Sequence, residues 1–294
     1  MTGFKWKGGS LTRKKWRGLR FFAAVLALCA ASLAVAVAAD SVILPNFQDP
    51  QHRLDRPETA SIRVIRFVTE DDYPPFGFAL PDGTLSGFNV DLARALCEEL
   101  RVQCTVQSRR WDTMIEAIEQ GRADAAVASI AMTPANRARV DFTAPYYKTP
   151  ARFVVRTGAA LGDVSPEALA GKAVGVVARS AHEAYLRAFF PRVILRAYDN
   201  ALALRSALKR NEVEIAFGDG VAFALWLNGT DAGGCCAFRG GPYTESRFFG
   251  EGVGISLRKD NQAVKRALDY ALKRVFERGV YADLYLKYFP VGFY

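Results

Sequence analysis

Short apolar runs of strand length alternate along this chain with stretches of helical length, and the alternation is the first thing its pattern establishes. Ile62, Val64, Ile65, Phe67 and Val68 predict a strand over 62–69, which ends in an acidic, proline-rich loop, Glu70-Asp71-Asp72-Tyr73-Pro74-Pro75-Phe76. A turn at Pro81-Asp82-Gly83 and a helix over 89–100 follow. The series continues with a strand over 102–108, a helix over 112–119, a strand over 123–129, a short helix over 134–138 and an extended segment from Val140 towards Pro145. A second series begins with a strand at 151–156. It runs through a helix at 165–169, a strand at 173–178, a helix at 181–190, a strand at 192–197, a helix at 201–210, a strand at 213–218 and a helix at 220–228. A Gly/Cys loop, a strand over 252–257 and helices over 261–278 and 279–288 close the chain.

The two series are phrased alike. Gly121-Arg122-Ala123-Asp124-Ala125-Ala126 ends one and Asn211-Glu212-Val213-Glu214-Ile215-Ala216 the other, each a turn, an acid and an apolar strand. Two similar α/β lobes are therefore expected, with a cleft between them as the place for a small molecule. Tyr73 and Phe76 fall on a loop at the carboxyl end of a strand, where open α/β sheets bind ligands. Pro74 and Pro75 restrict the backbone beside the two rings, so a stacking surface there is formed in advance. The alternative is that both rings pack on the core.

Charge changes the picture only at the N-terminus. The 294 residues carry a net charge of +9, but Lys5, Lys7, Arg13, Lys14, Lys15, Arg17 and Arg20 lie before residue 40 with no acid among them; without those seven the net charge is +2. A remainder so close to neutral has no footprint for a phosphate backbone, which argues against nucleic acid as partner. The basic segment leads into an apolar run, Phe21 to Ala39, with small residues before Ala39 and Asp40, the pattern of an export signal over 1–39. Leu28 before Cys29 argues against a lipid-anchored form. The run also has the length to span a bilayer, so an uncleaved anchor is the alternative. Residues 40–60 are polar and aperiodic and read as a linker or surface arm.

Export fits the cysteines. Cys97 near the end of one helix and Cys104 at the start of the next strand sit where a helix-to-strand turn brings two side chains together, and a structural disulfide is expected. Cys235-Cys236 remains open between a vicinal disulfide, free thiols and a metal site. With only His52 and His182 as histidines, zinc is disfavoured.

The order of motifs resembles the extracellular solute-binding proteins of ABC importers, family 3, which include the lysine/arginine/ornithine-, histidine- and glutamine-binding proteins. The likeness runs from about Ile62 to Phe289. Tyr73-Pro74-Pro75-Phe76, Gly87-Phe88-Asn89-Val90-Asp91-Leu92, Val140-Asp141-Phe142-Thr143-Ala144-Pro145-Tyr146, Gly171-Lys172-Ala173-Val174-Gly175-Val176, Phe217-Gly218-Asp219 and Phe249-Gly250-Glu251-Gly252-Val253-Gly254-Ile255 carry it. The resemblance implies a type II periplasmic-binding-protein-like α/β fold, two lobes joined by two hinge strands that close on a ligand. One lobe would comprise 61–148 and 253–294, the other 151–247. The Cys97/Cys104 spacing matches a disulfide of some members. The resemblance also implies a periplasmic monomer that hands a small polar solute to an ABC permease, with no cofactor and no covalent chemistry.

By the same resemblance Tyr73 and Trp111 would sandwich the ligand, stacking on a cationic side chain being worth roughly 0.5–2 kcal/mol. Asp219 would take an α-ammonium; its alternative is a helix cap. Ser129 would offer a hydroxyl or carbonyl, Ser180 would stand at a helix N-terminus facing a carboxylate, and Glu70 would meet a basic ligand side chain. Two departures stand against these matches. The arginine that clamps a carboxylate in the family falls on Asn136, with Arg137 one place later, about 100° around a helix. The second-lobe Gly-Thr/Ser-Thr motif reads Arg179-Ser180-Ala181, so that Arg179 offers a replacement guanidinium from the opposite lobe. Losing one charge-assisted pair costs about 1.5–3 kcal/mol. Two other readings follow from this erosion: an accessory protein that kept the fold and lost its ligand, and an enzyme like the cyclohexadienyl dehydratases, with Glu70 or Glu251 as its general acid.

Overall fold

The computed structural model describes Gly3, residues 54–290 and residues 292–294. The predicted export segment, apart from Gly3, and the arm as far as residue 53 lie outside the described residues. Two five-stranded sheets organise the rest. The first runs β5 (Gln103–Ser108), β1 (Val64–Thr69), β6 (Ala125–Ala126), β13 (Val253–Leu257), β7 (Asp141–Tyr147). The second runs β10 (Ile194–Tyr198), β9 (Ala173–Val177), β11 (Ile215–Asp219), β8 (Ala151–Arg156), β12 (Cys236–Tyr243). In each sheet four strands run in one direction, and a single strand, the fourth in the order, runs antiparallel to both its neighbours. The inserted antiparallel strand is the one the chain reaches on crossing from the other sheet. This is the two-lobed α/β architecture expected from the sequence.

Alternation along the strands fixes which face meets which helix. In β1, Ile65 and Phe67 enter a core with Leu92 and Leu96 of α1 (Phe88–Leu100), while Val68 joins Met114 and Ile118 of α2 (Met114–Glu119) on the other face. In the second sheet Phe153 and Phe217 pack on Tyr185 and Leu186 of α4 (Ala181–Phe189). Val154 and Ala216, pointing the other way, meet α5 (Ala201–Lys209) and α6 (Gly220–Asn228). Three of these helices begin on side-chain caps that the sequence supplies. Ser180 accepts from the Glu183 amide, Asn200 from Ala203 and Asp219 from Ala222, each satisfying an N–H that the helix leaves unpaired.

The chain crosses between the sheets at Lys148–Pro150 and again between β12 and β13, through a short helix α7 (Ser246–Phe249) preceded by α3 (Pro134–Arg139) and followed by α8 (Gln262–Glu277) and α9 (Val280–Tyr288) in chain order. The Tyr294 hydroxyl brackets the first crossing, accepting from the Lys148 amide at 3.0 Å and donating to its carbonyl at 2.7 Å. Gly252 has φ +111°, and a Cβ there would lie 2.8 Å from the Tyr147 carbonyl oxygen. Only glycine lets the two crossings approach so closely.

Several elements differ from expectation, among them α7 and a small antiparallel sheet of β2 (Asp72–Tyr73), β3 (Gly77–Ala79) and β4 (Leu85–Ser86). Residues 165–169 form a turn, since five residues around Pro166 are too few to offset helix nucleation. The strand predicted over 123–129 pairs only at Ala125–Ala126, because Ser129 turns the backbone with φ +54°. β12 was not expected: Gly240, Gly241 and Pro242 carry turn composition, which an edge strand tolerates. Cys97 and Cys104 are bonded and tie α1 to β5, Cα to Cα 6.2 Å. Cys235 and Cys236 are also bonded, which selects the vicinal disulfide among the open alternatives.

The entry to α1 is the tightest point near the cleft. Gly87 has φ +127°, and a Cβ would stand 2.3 Å from the Phe76 carbonyl oxygen, which itself accepts from the Asn89 amide at 2.8 Å. Gly87→Ala is expected to cost about 2 kcal/mol or more, lowering the melting temperature by several degrees at ~2–4 °C per kcal/mol. Circular dichroism melting of the two proteins checks this.

Candidate functional site

Glu70 follows the last residue of β1 and is 2% exposed. Asn89, in the first turn of α1, donates from Nδ2 to Glu70 Oε1 at 3.0 Å and to Ser129 Oγ at 3.2 Å. Asn89 Oδ1 accepts from the Tyr146 hydroxyl at 3.0 Å, and that hydroxyl accepts from the Ser129 amide at 3.4 Å. Two sheet strands, a helix start and a loop are thus joined through one buried polar chain. Glu70 Oε2 accepts from the Thr69 hydroxyl at 3.5 Å, whose stronger bond goes to the Val127 carbonyl at 2.7 Å. Burial lifts the Glu70 carboxyl to about 7, against the pull of its own backbone, Asn89 and Thr69, and the charge of Asp72 lifts it further.

Above this floor stands a column of rings. Tyr73 stacks on Phe76 at 5.3 Å, and Phe76 on Tyr147 at 5.2 Å. Tyr73 is 47% exposed, whereas Phe76 is 1% exposed and also touches Phe88 and Phe289. Phe76 is therefore a support for Tyr73 and is withdrawn as a ligand contact: the core of β1, α1 and α9 already surrounds its ring. Trp111 is 56% exposed at the start of a 3-10 turn (Trp111–Thr113) after β5. Among the described residues it touches no other ring.

Asp219 comes from the second sheet. It keeps an accessible edge, yet the protein crowds its carboxyl enough that lost hydration raises its pKa, against hydrogen bonds from the Ala222 and Val221 amides. It forms no ion pair among the described residues, and neither does Glu70. The capping role named as its alternative is real and uses Oδ1. Burial and then the charges of Asp219 and Glu70 raise the Tyr73 hydroxyl, and both carboxyls act on Tyr147 as well. Glu70 and Asp219 thus flank the same rings from opposite sheets. Asp219 opens into an apolar slot of about 190 Å³ walled by Val177, Leu204, Phe217, Ala222 and Phe223, with Ser180, His182 and Arg205 along its rim. Burial holds His182 near 4, so its ring is neutral.

Two further predicted contacts are otherwise engaged. Arg137 Nη2 donates to Glu251 Oε2, and the guanidinium lies 5.8 Å from the Phe142 ring. The one-residue offset on α3 turns it towards the second crossing, so it is withdrawn as a carboxylate partner in this conformation. Asn136 donates to the Ala131 carbonyl at 2.9 Å. The Ser180 hydroxyl caps α4 and donates to the Val177 carbonyl at 2.7 Å, although Ser180 lines the slot beside Asp219. Arg179, at φ +56°, gives its amide to Glu183 at 2.6 Å.

Residues 65–291 match the sequence profile of the bacterial extracellular solute-binding proteins, family 3. The chain belongs to this family. It is 35% identical over 243 residues to the L-arginine-binding protein of Pseudomonas aeruginosa, covering 82% of this chain and 93% of that one. It is 33% identical over 226 residues to a putative ABC transporter arginine-binding protein 2 of Escherichia coli K12, covering 77% and 90%. The L-cystine solute receptor of Neisseria gonorrhoeae in its unliganded open conformation superposes with a TM-score of 0.64 at 20% identity over 77% of this chain and 92% of that one, a likeness of fold.

In this family 3 chain the sequence reading missed Asn89, Tyr146 and Tyr147. Asn89 is a fully buried amide between Phe88 and Val90, a polar residue at a core position of the helix period, and that was the available signal. The Glu70 pKa carries a consequence with a definite sign. The folded value, about 7, lies above the unfolded one, so the folded state binds the extra proton between the two and stability falls as pH rises through that window. Glu70→Gln is therefore expected to raise the melting temperature at pH 8 and leave it nearly unchanged at pH 5. Calorimetric melting at both pH values measures it.

Proposed function

We propose that this chain is an exported receptor for a small cationic, amino-acid-like or amine-bearing solute, which it delivers to an ABC permease. One observation carries the reading: two crowded carboxyl groups, Glu70 and Asp219, form no ion pair among the described residues, and the charge of each acts on the exposed ring of Tyr73. A crowded carboxylate is costly unless an opposite charge meets it, and a cationic ligand supplies that charge. Tyr73 offers a face for a guanidinium or ammonium, with Trp111 as its partner on closure. Ser129 and Asn89 hold Glu70 in place. The names of the arginine-binding relatives support a basic ligand.

The lobes of this reading are 61–148 with 253–294 and 151–247, moving about the two crossings as a monomer. Residues 1–39 act as the export signal and 40–60 as the arm, placing the receptor in the periplasm. A second reading draws on Glu70: a carboxyl near 7 is protonated often enough to serve as a general acid in an elimination. Product analysis after incubation with prephenate or arogenate tests it, and turnover lost in Glu70→Gln would establish it.

Titration calorimetry of the purified protein with arginine, lysine, ornithine, glutamine and glutamate tests the receptor. Basic solutes are expected to bind and glutamate not to; equal silence across the panel refutes the reading. Tyr73→Ala is expected to weaken the best ligand by about 0.5–2 kcal/mol, two- to thirtyfold. Because a cation favours ionised Glu70, affinity is expected to drop as pH falls below about 7, up to tenfold per unit.

A further inference from the structure

Two tyrosine hydroxyls hold alternate residues where the first sheet hands the chain to the second. Tyr281, in α9, donates to the Tyr146 carbonyl at 2.7 Å, while Tyr294 accepts from the Lys148 amide at 3.0 Å and donates to the Lys148 carbonyl at 2.7 Å. One oxygen bonded to both polar groups of a residue holds the φ and ψ that lie between them, the only two soft angles of that residue's backbone. The residues that follow are no freer. Pro150 restricts Thr149 to extended backbone and has its own φ fixed by the ring. The Pro150 carbonyl accepts from the Gly220 amide at 2.8 Å, at the first residue of α6. The first crossing is thus held from both sheets.

The second crossing is built differently. Gly250 and Gly252 have φ of +80° and +111°, and a Cβ at Gly250 would meet nothing within 4 Å. Glycine admits a wide range of backbone angles, and hinge motion is absorbed by a few such residues. A change of angle between the sheets is therefore taken up at the second crossing and resisted at the first. Tyr294 stands where the two sides meet. Its ring centre lies 4.6 Å from that of Phe293 and 5.9 Å from that of Tyr285, and Val221 and Ala224 of α6 belong to the same apolar cluster as those two residues. Tyr147, between the two held residues, stacks on Phe76 beneath Tyr73, so the crossing and the ring column share a residue.

We propose, on the receptor reading, that Tyr294 is a positioning residue for solute binding. Its hydroxyl clamps Lys148, keeps the first crossing stiff and confines the two sheets to a narrow range of mutual angles. A solute then closes a cleft whose halves are already aligned, and little freedom is lost on binding. Tyr294 does this without touching the solute.

Tyr294→Phe removes the hydroxyl and keeps the ring. Spin labels on ketone-bearing side chains introduced at Gln107 and Arg196, exposed positions of the outer strands β5 and β10, report the distance between the sheets and leave the disulfides intact. Pulsed electron resonance on the free protein is expected to give a broader distance distribution with Tyr294→Phe than without it, and equal narrow distributions once arginine saturates both. Titration calorimetry is expected to show arginine bound about two- to tenfold more weakly by Tyr294→Phe, the range for one lost hydrogen bond. Equal widths in the free proteins overturn the proposal, even if the variant melts earlier, since a merely structural contact would change the melting alone. Arginine bound equally or more tightly by the variant also overturns it. Wild-type silence towards arginine, lysine and ornithine removes the receptor reading, whereas the widths, which need no ligand, still decide whether Tyr294 clamps the crossing. Should Tyr294→Phe fail to fold, hydrogen exchange of the Lys148 amide in the wild type decides: protection is expected, and exchange at the unprotected rate overturns the clamp.

Discussion

A carboxyl group almost wholly removed from water is the constraint around which the first lobe is arranged. Glu70 sits 2% exposed, with Asn89 as its one close side-chain donor. Burying such a group without a cation is unfavourable, and the surroundings reduce that cost by holding the donor still. Asn89 is fixed by Tyr146 and Ser129, Ser129 is held in a left-handed conformation, and Gly87 lets α1 begin close against the Phe76 carbonyl. Each of these positions is explicable only by the others. Strain of this kind persists where the surroundings determine it fully, and it gathers at functional sites.

The ring column answers to the same arrangement. Phe76 is locked in the core and stacks on both Tyr73 and Tyr147, so the exposed Tyr73 ring rests on a rigid base. A surface held in position loses little freedom when a ligand arrives, which is how preorganisation favours affinity. On the facing sheet Asp219 combines two tasks. Its Oδ1 closes the first turn of α6 while the rest of the carboxylate borders the slot, so the helix start fixes the direction of the charge. The two acids therefore belong to separate sheets, and the chain passes between those sheets through two crossings that approach closely at Gly252.

How much of this was legible beforehand depends on the range of the interaction concerned. The alternation of strands and helices, the helix cap at Asp219 and the pairing of Cys97 with Cys104 all arise within about ten residues, and short-range pattern reports them. β12 escaped notice because its Gly-Gly-Pro composition says turn while its long-range pairing with β8 says strand. Arg137 shows the same limit: a one-residue offset on a short helix is visible in the sequence, but that Glu251, 114 residues away, receives the guanidinium is not.

What the chain's order of residues determined alone is the doubled α/β plan, the acidic aromatic loop at the end of β1 and the placing of Glu70 and Asp219 at strand ends, because periodicity, proline and charge are local properties. The tertiary structure decided which of those groups remain uncommitted. Phe76 went to the core, Arg137 to Glu251 and Asn136 to a backbone carbonyl, whereas Glu70 and Asp219 form no ion pair among the described residues. Commitment is a matter of three-dimensional neighbours, and a buried charge takes its character from what surrounds it rather than from what precedes it along the chain.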